Sequence, residues 1–402
     1  MPALHEHDAV TLAAMIGRGD VSSEEVTAAH LARIDAVDGR VRAFTTVLRD
    51  EACATARRAD EERRRGQVRG PLHGLPVSVK ESLDMAGMAS TMGVAARRHK
   101  VAAADAGIVQ LLRAAGAVIL GRTNTSQLLL FHESDNPVYG RTHNPFDLGR
   151  TPGGSSGGEA AAVAAGMSPL GVGTDIGGSI RVPAHFTGTA GLKPTLDRWI
   201  NQGSNTAFFG QEVIRGQCGP MARSARDVAF FFEALDPRAM SALDPRVPPL
   251  LPDRAADVDV SALRIGWYAD DGVIPASAAV SRAVRRAAEA LRGRVGEVTM
   301  FVPPRMLEMT FTYMAALSAD GGATAFDQLE GGRLATALGP MRAIARLPDP
   351  VRRAMASAAA LAGEPRLARF LGALGRKSVT ELWRLTQLVR AYRFELLTAM
   401  RE

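Results

Sequence analysis

Thr151-Pro152-Gly153-Gly154-Ser155-Ser156-Gly157-Gly158 and Gly173-Thr174-Asp175-Ile176-Gly177-Gly178-Ser179-Ile180-Arg181-Val182-Pro183-Ala184, separated by an alanine-rich segment from Glu159 to Ala165, decide the reading of this chain. Consecutive glycines beside Ser179, following the apolar run Leu170–Gly173 and Asp175, let backbone N–H groups turn inward and converge as an oxyanion hole would. The same pattern also fits a glycine-rich turn whose serine caps the next segment. Gly153–Gly158 opens a helical run, and a helix N-terminus favours negative charge. It lacks the Gly-Lys-Ser/Thr ending of a phosphate-binding loop. Gly153, Ser155 and Gly157 satisfy Gly-x-Ser-x-Gly, yet the preceding Phe146–Pro152 is no strand, which argues against a nucleophile elbow. Helix capping remains a simple role for Ser155 and Ser156.

Outward from this stretch, Leu75–Lys80 reads as a short strand, the region around Gly107 to Ala114 as a helix, and Ala117–Leu120 as an apolar strand ending at Gly121. Strands alternating with helices imply an α/β protein with a covered, mostly parallel sheet. Upstream, Ser22 and Glu25 make a capping box for an amphipathic helix. Downstream, a strand at Leu263–Trp267 follows the Pro-rich stretch Pro245–Pro252, expected as a surface loop, and the chain beyond Pro303 reads as helices. The chain has only four lysines, Lys80, Lys100, Lys193 and Lys377. Lys80 alone closes an apolar strand, on the face opposite Val77 and Val79. If that face is dry, the amine is a neutral base; if wet, it is an ordinary solvated cation.

The 402 residues are 46% hydrophobic and 22% charged, the range of an ordinary globular protein. The chain contains no run of about 18 apolar residues and its start lacks the pattern of a secretory signal, so the cytoplasm is the expected compartment. Cys53 and Cys218, the only cysteines, are far apart and are expected as buried thiols without metal. The net charge of +6 is dispersed, and its densest run, Glu61–Arg65, is mixed in sign, which fits a solvated helix face better than nucleic-acid contact.

GLPVSVKE at 74–81, TPGGSSGGEAAAVAAG at 151–166 and GTDIGGSIRVPA at 173–184 occur in one order, and together they resemble the amidase signature family. The resemblance runs from about the first helix through Cys218–Ser224. It implies the amidase signature fold: a mixed, mostly parallel twisted sheet covered by helices, with a helical C-terminal cap. The chain would divide into an N-terminal helical segment (1–65), a catalytic core (66–300) and a mainly helical cap region (301–402). By the same resemblance the chain hydrolyses a carboxylic acid amide without metal or cofactor. Lys80 would be the base, Ser155 the proton relay in a cis peptide, and Ser179 the nucleophile that forms the acyl-enzyme. Ile176, Gly177, Gly178 and Ser179 would form the oxyanion hole, with Ser156, Asp175 and Arg181 in support.

Within the family, Phe131–Gly140 and Gly210-Gln211 look most like the fatty acid amide hydrolase branch. That likeness places Leu128, Leu129, Leu130 and Phe131 along the acyl side of the pocket and suits an apolar acyl or aryl substrate, although plain helix core also fits the run. The expected partner is a small-molecule amide, with no nucleic acid, at most peripheral membrane contact through the basic amphipathic helices after Pro340, and a homodimer as an admissible assembly. Two alternatives stand beside this reading. One is the A subunit of a tRNA-dependent amidotransferase, which Leu196–Ile200 do not resemble; the other is a catalytically impaired amide-binding protein. Family members usually carry a further apolar strand after the helix equivalent to Leu385–Met400, whereas the sequence given ends at Glu402.

Overall fold

Pro76–Lys80 is a strand buried along its whole length, because helices cover both of its faces. The computed structural model describes residues 2–251 and 254–402. Six strands form one sheet: β1 (Phe44–Val47), β2 (Pro76–Lys80), β3 (Val118–Thr123), β4 (Leu170–Asp175), β5 (Ala190–Gly191) and β6 (Gln217–Ala222), in the order β1-β3-β2-β4-β6-β5. The three central strands are parallel, and β1, β6 and β5 join antiparallel at the flanks. The C-terminal ends of β2, β3 and β4 therefore lie side by side, where open α/β sheets place their ligands. Ser78 lies opposite Gly171 and Val79 opposite Val172, so by this register Lys80 comes level with Gly173, two residues before β4 ends.

The helices of this unit include α1 (Ala9–Arg18), α2 (Ser23–Val41), α3 (Arg49–Arg64), α4 (Gly107–Ala114), α5 (Gly157–Ala164), α6 (Arg181–Thr187) and α7 (Ala225–Glu233). The Ser22–Glu25 capping box opens α2 as expected. On one face of β2, Val77 and Val79 join Val172, Ile108, Leu112 and Phe231 in the main apolar cluster. Helix α5 packs against β2, β3, β4 and β6. Burial of Val77, Val79 and Val172 contributes roughly 1.5–3 kcal/mol each, enough to offset a desolvated amine in the same part of the sheet. Cys218 is buried as expected, but Cys53 is only half-buried, packed at the margin of the cluster formed by α2, α3 and α5.

Among the described residues, one compact unit comprises 2–209, 215–251 and 325–339, and a second comprises 210–214, 254–324 and 340–402. The expected divisions at 65 and 300 do not coincide with these units. Helices α2 and α3 pack on the sheet of the first unit, and residue 300 is the end of a strand inside the second. Pro245–Leu251 is irregular, and Pro252 lies outside the described residues. The second unit holds a parallel pair, β7 (Arg264–Trp267) and β8 (Glu297–Met300), and helices including Ala278–Leu291, Met306–Leu317, Asp349–Leu361, Pro365–Ala373 and Val379–Arg401. Among the described residues no helix is long and apolar enough to cross a membrane.

Candidate active site

Lys80 closes β2 fully buried, and its Nζ donates to Ser155 Oγ at 2.6 Å and to Thr174 Oγ1 at 2.8 Å. Burial disfavours the ammonium form and lowers the lysine pKa to about 7, although Asp175, Cys218, Glu159 and Glu81 pull the other way. A lysine held this way can be a neutral amine against a hydroxyl near neutral pH.

Ser155 and Ser156 lie just before α5. The Gly154–Ser155 peptide is cis, and the Ser155 carbonyl accepts from Thr125 Oγ1 at 2.8 Å and from Ser134 Oγ at 3.3 Å. Ser156 ties the first glycine loop to β4: its Oγ donates to the Thr174 carbonyl and accepts from the Thr174 amide, both at 3.2 Å. The Ser156 amide donates to the Ser179 carbonyl at 3.1 Å, which joins the two glycine loops directly. Lys80 and Ser155 meet side chain to side chain, whereas Ser179 is tied to them through its backbone carbonyl. Ser179 is 6% exposed, and its Oγ has no hydrogen-bond partner among the described residues. Contacts between reacting groups are often long until substrate binds.

Asp175 and Arg181 shape the second loop. Arg181 donates to the Asp175 carboxylate through Nε at 3.0 Å and Nη2 at 2.9 Å, and the amides of Gly178 and Ile180 donate at 2.8 and 3.0 Å. Burial alone would raise the Asp175 pKa, but the arginine and the two amides hold it below the usual carboxylate range. Gly178 adopts φ +111°, a backbone conformation that favours glycine. The Gly178 N–H donates to Asp175, whereas the amides of Gly177 and Ser179 have no partner among the described residues.

The leucine run that follows β3 begins with Leu128. It has φ +56° and no exposure, and it lies in a satellite apolar cluster with Val94, Ala207 and Leu338. Leu130 and Phe131 are half-buried against that cluster, and Leu129 is half-buried outside it.

Three residues gain a place that their sequence context did not give them. Thr174 shares the lysine with Ser155, a role hinted at only by its position between Gly173 and Asp175. His132 is exposed on the loop after the leucine run, with Nε2 3.0 Å from the Gly177 carbonyl. Glu159, fully buried in the first turn of α5, accepts from Ser78 Oγ and, at 2.6 Å, from Thr123 Oγ1. Burial raises its pKa to about 7, with the two hydroxyls and Lys80 pulling it down. Its only sequence signal is an acidic side chain directly after Gly157-Gly158 in an otherwise alanine-rich segment.

The sequence model of the family described as Amidase matches residues 25–389. The chain belongs to the amidase signature family. Fatty-acid amide hydrolase 1 of Sus scrofa is 34% identical to it over 386 residues, covering 95% of this chain and 65% of that protein. The A subunit of the glutamyl-tRNA(Gln) amidotransferase of Streptomyces avermitilis is 41% identical over 261 residues, covering 64% of this chain and 51% of that protein. A solved structure of a fatty acid amide hydrolase matches with a TM-score of 0.84 at 28% identity, covering 98% of this chain and 65% of that one. This member of the family thus spans between about half and two thirds of the length of these relatives.

Proposed function

We propose that this chain hydrolyses carboxylic acid amides through an acyl-enzyme on Ser179, with Ser155 as proton relay and Lys80 as base. The observation that carries the reading is the fully buried Lys80, 2.6 Å from Ser155 Oγ and with its pKa lowered to about 7. As a neutral amine, Lys80 offers a lone pair to the same contact, so Ser155 O–H can donate to it. Ser155 gives its proton to Lys80 and takes the proton of Ser179 as Ser179 Oγ attacks the amide carbonyl. The backbone amides of Ile176, Gly177, Gly178 and Ser179 are assigned to the developing oxyanion, with the bond from the Gly178 amide to Asp175 bracing the loop. When the tetrahedral intermediate collapses, Ser155 protonates the departing amine and recovers a proton from Lys80. Water then attacks the acyl-Ser179 ester along the same proton route and releases the acid. Ser156, Asp175 and Arg181 keep the two loops in register.

Leu129, Leu130 and Phe131 are proposed to line the acyl side, which suits an apolar acyl or aryl amide. Release of amine from a panel of aryl amides, long-chain ethanolamides, acetamide and glutamine tests this assignment. Turnover of apolar amides that vanishes in Ser179→Ala supports it. The 41% identity to the A subunit of an amidotransferase favours a second reading, for which hydrolysis confined to glutamine would be the mark. Absence of turnover on every amide, from folded protein, would instead support the impaired binding protein.

A further inference from the structure

Glu159 is a fully buried carboxyl that the proton relay does not use. It stands in the first turn of α5, three residues after Ser156, and reaches across to Ser78 on β2 and Thr123 on β3. Ser78 and Lys80 share one face of β2, two residues and so about 7 Å apart. The neighbouring strand makes room for it: a Cβ on Gly171 would overlap Glu159 Oε1. Among the described residues no arginine or lysine forms an ion pair with Glu159, whereas Asp175 is paired with Arg181.

We propose that Glu159 is a positioning residue that ties the helix following Ser155 to the strand carrying Lys80 and sets, by its own ionisation, how readily Lys80 gives up its proton. This rests on the amide-hydrolase reading above. The groups that act on Lys80 are Asp175 on β4, Cys218 on β6, Glu81 directly after β2, and Glu159 on α5. Asp175 is committed to Arg181 of α6, and burial holds the Cys218 thiol protonated with its pKa raised to about 12; the Glu81 carboxyl, whose pKa burial also raises, is engaged by Thr91 and Met92 and opposed by the charge of Arg122. Glu159 differs from Glu81 in being held by two hydroxyls with Lys80 as the cation that acts on it, so its charge can vary around neutral pH in step with the lysine. As a carboxylate it stabilises the Lys80 ammonium, so a higher pH is needed to free the amine; without that negative charge the amine is freed at lower pH. The two groups thus govern a shared proton balance within one dry pocket.

The test is the pH dependence of Ser179 labelling by a fluorophosphonate probe in wild type, Glu159→Gln and Ser78→Ala, with apolar-amide turnover as the parallel readout. Glutamine keeps the shape and removes the negative charge. The limb on which reactivity rises with pH is expected to move to lower pH by about one unit in Glu159→Gln. Ser78→Ala leaves the carboxylate less well solvated, so the limb should move the same way by a smaller amount. A carboxyl with a purely structural role would scale the rate equally at every pH, so an unmoved limb in both variants overturns the proposal. If wild-type Ser179 is unlabelled at every pH, the hydrolase reading itself fails and this inference fails with it, which distinguishes the two outcomes.

Discussion

Replacing Lys80 by methionine separates the cost of the site from its use. In the folded protein Lys80 titrates at about 7, against a normal value of 10.5. Because the unfolded chain binds a proton that the folded chain has already released, stability rises with pH across that interval. Below the folded value both states carry the ammonium, and its full burial penalty applies. At about 1.4 kcal/mol per pH unit, the interval corresponds to about 5 kcal/mol. Methionine fills similar volume without charge, so Lys80→Met should be more stable than wild type below pH 7, and the advantage should shrink steadily as pH approaches 10. Turnover should fall by about 10²–10⁴-fold, the usual contribution of a positioned base. Urea titrations of both proteins from pH 6 to 10, followed by circular dichroism, give the difference in unfolding free energy at each pH. A difference that does not change with pH would refute the burial argument. Unimpaired turnover of amides by the variant would remove Lys80 from the mechanism.

Asp175→Asn keeps the loop's outline but weakens the bonds to Arg181 and to the amides of Gly178 and Ile180; a loss of about 1.5–3 kcal/mol should lower kcat about 10- to 100-fold with a smaller change in KM. Steady-state kinetics on an apolar amide decide this, and a change confined to KM would count against it. Gly171→Ala forces a Cβ onto Glu159 and should lower unfolding free energy by about 1–3 kcal/mol, read as a depressed melting temperature. An unchanged melting temperature would mean that the α5 side chain moves freely aside. His132→Ala removes a side-chain hydrogen bond to the Gly177 carbonyl, a loss of about 0.5–1.5 kcal/mol, and should slow acylation about two- to tenfold in single-turnover experiments. Acylation at the wild-type rate would show that the loop holds its shape without it.

The parts of the molecule legible in its sequence are those fixed by local chemistry. The α2 capping box, the limits of α4 and the strand ending at Lys80 follow from short-range patterns, and the structure places them where those patterns do. Strand β6 is hidden because Gly219 and Pro220 in six residues argue against a strand; its pairing comes from β4 and β5. Strand β1 is only four half-buried residues. The run from Leu128 to Phe131 breaks from a plain helix because Leu128 and Leu129 both have a left-handed backbone, of which an apolar run gives no sign. Glu159 resembles an ordinary acid in a first helical turn, and only the crossing of α5 over β2 and β3 places it between Ser78 and Thr123. The bond from the Gly178 amide to Asp175 is not legible either, because it depends on a fold that buries Asp175 at the end of β4.

Peptide mapping of the fluorophosphonate adduct tests the division of roles most directly, since both serines lie in glycine motifs and a motif match alone would favour Ser155. An adduct is expected on Ser179 in the wild-type protein, none in Ser179→Ala, and a slowed reaction at Ser179 in Ser155→Ala. An adduct on Ser155, or labelling that persists undiminished in Ser179→Ala, would contradict it.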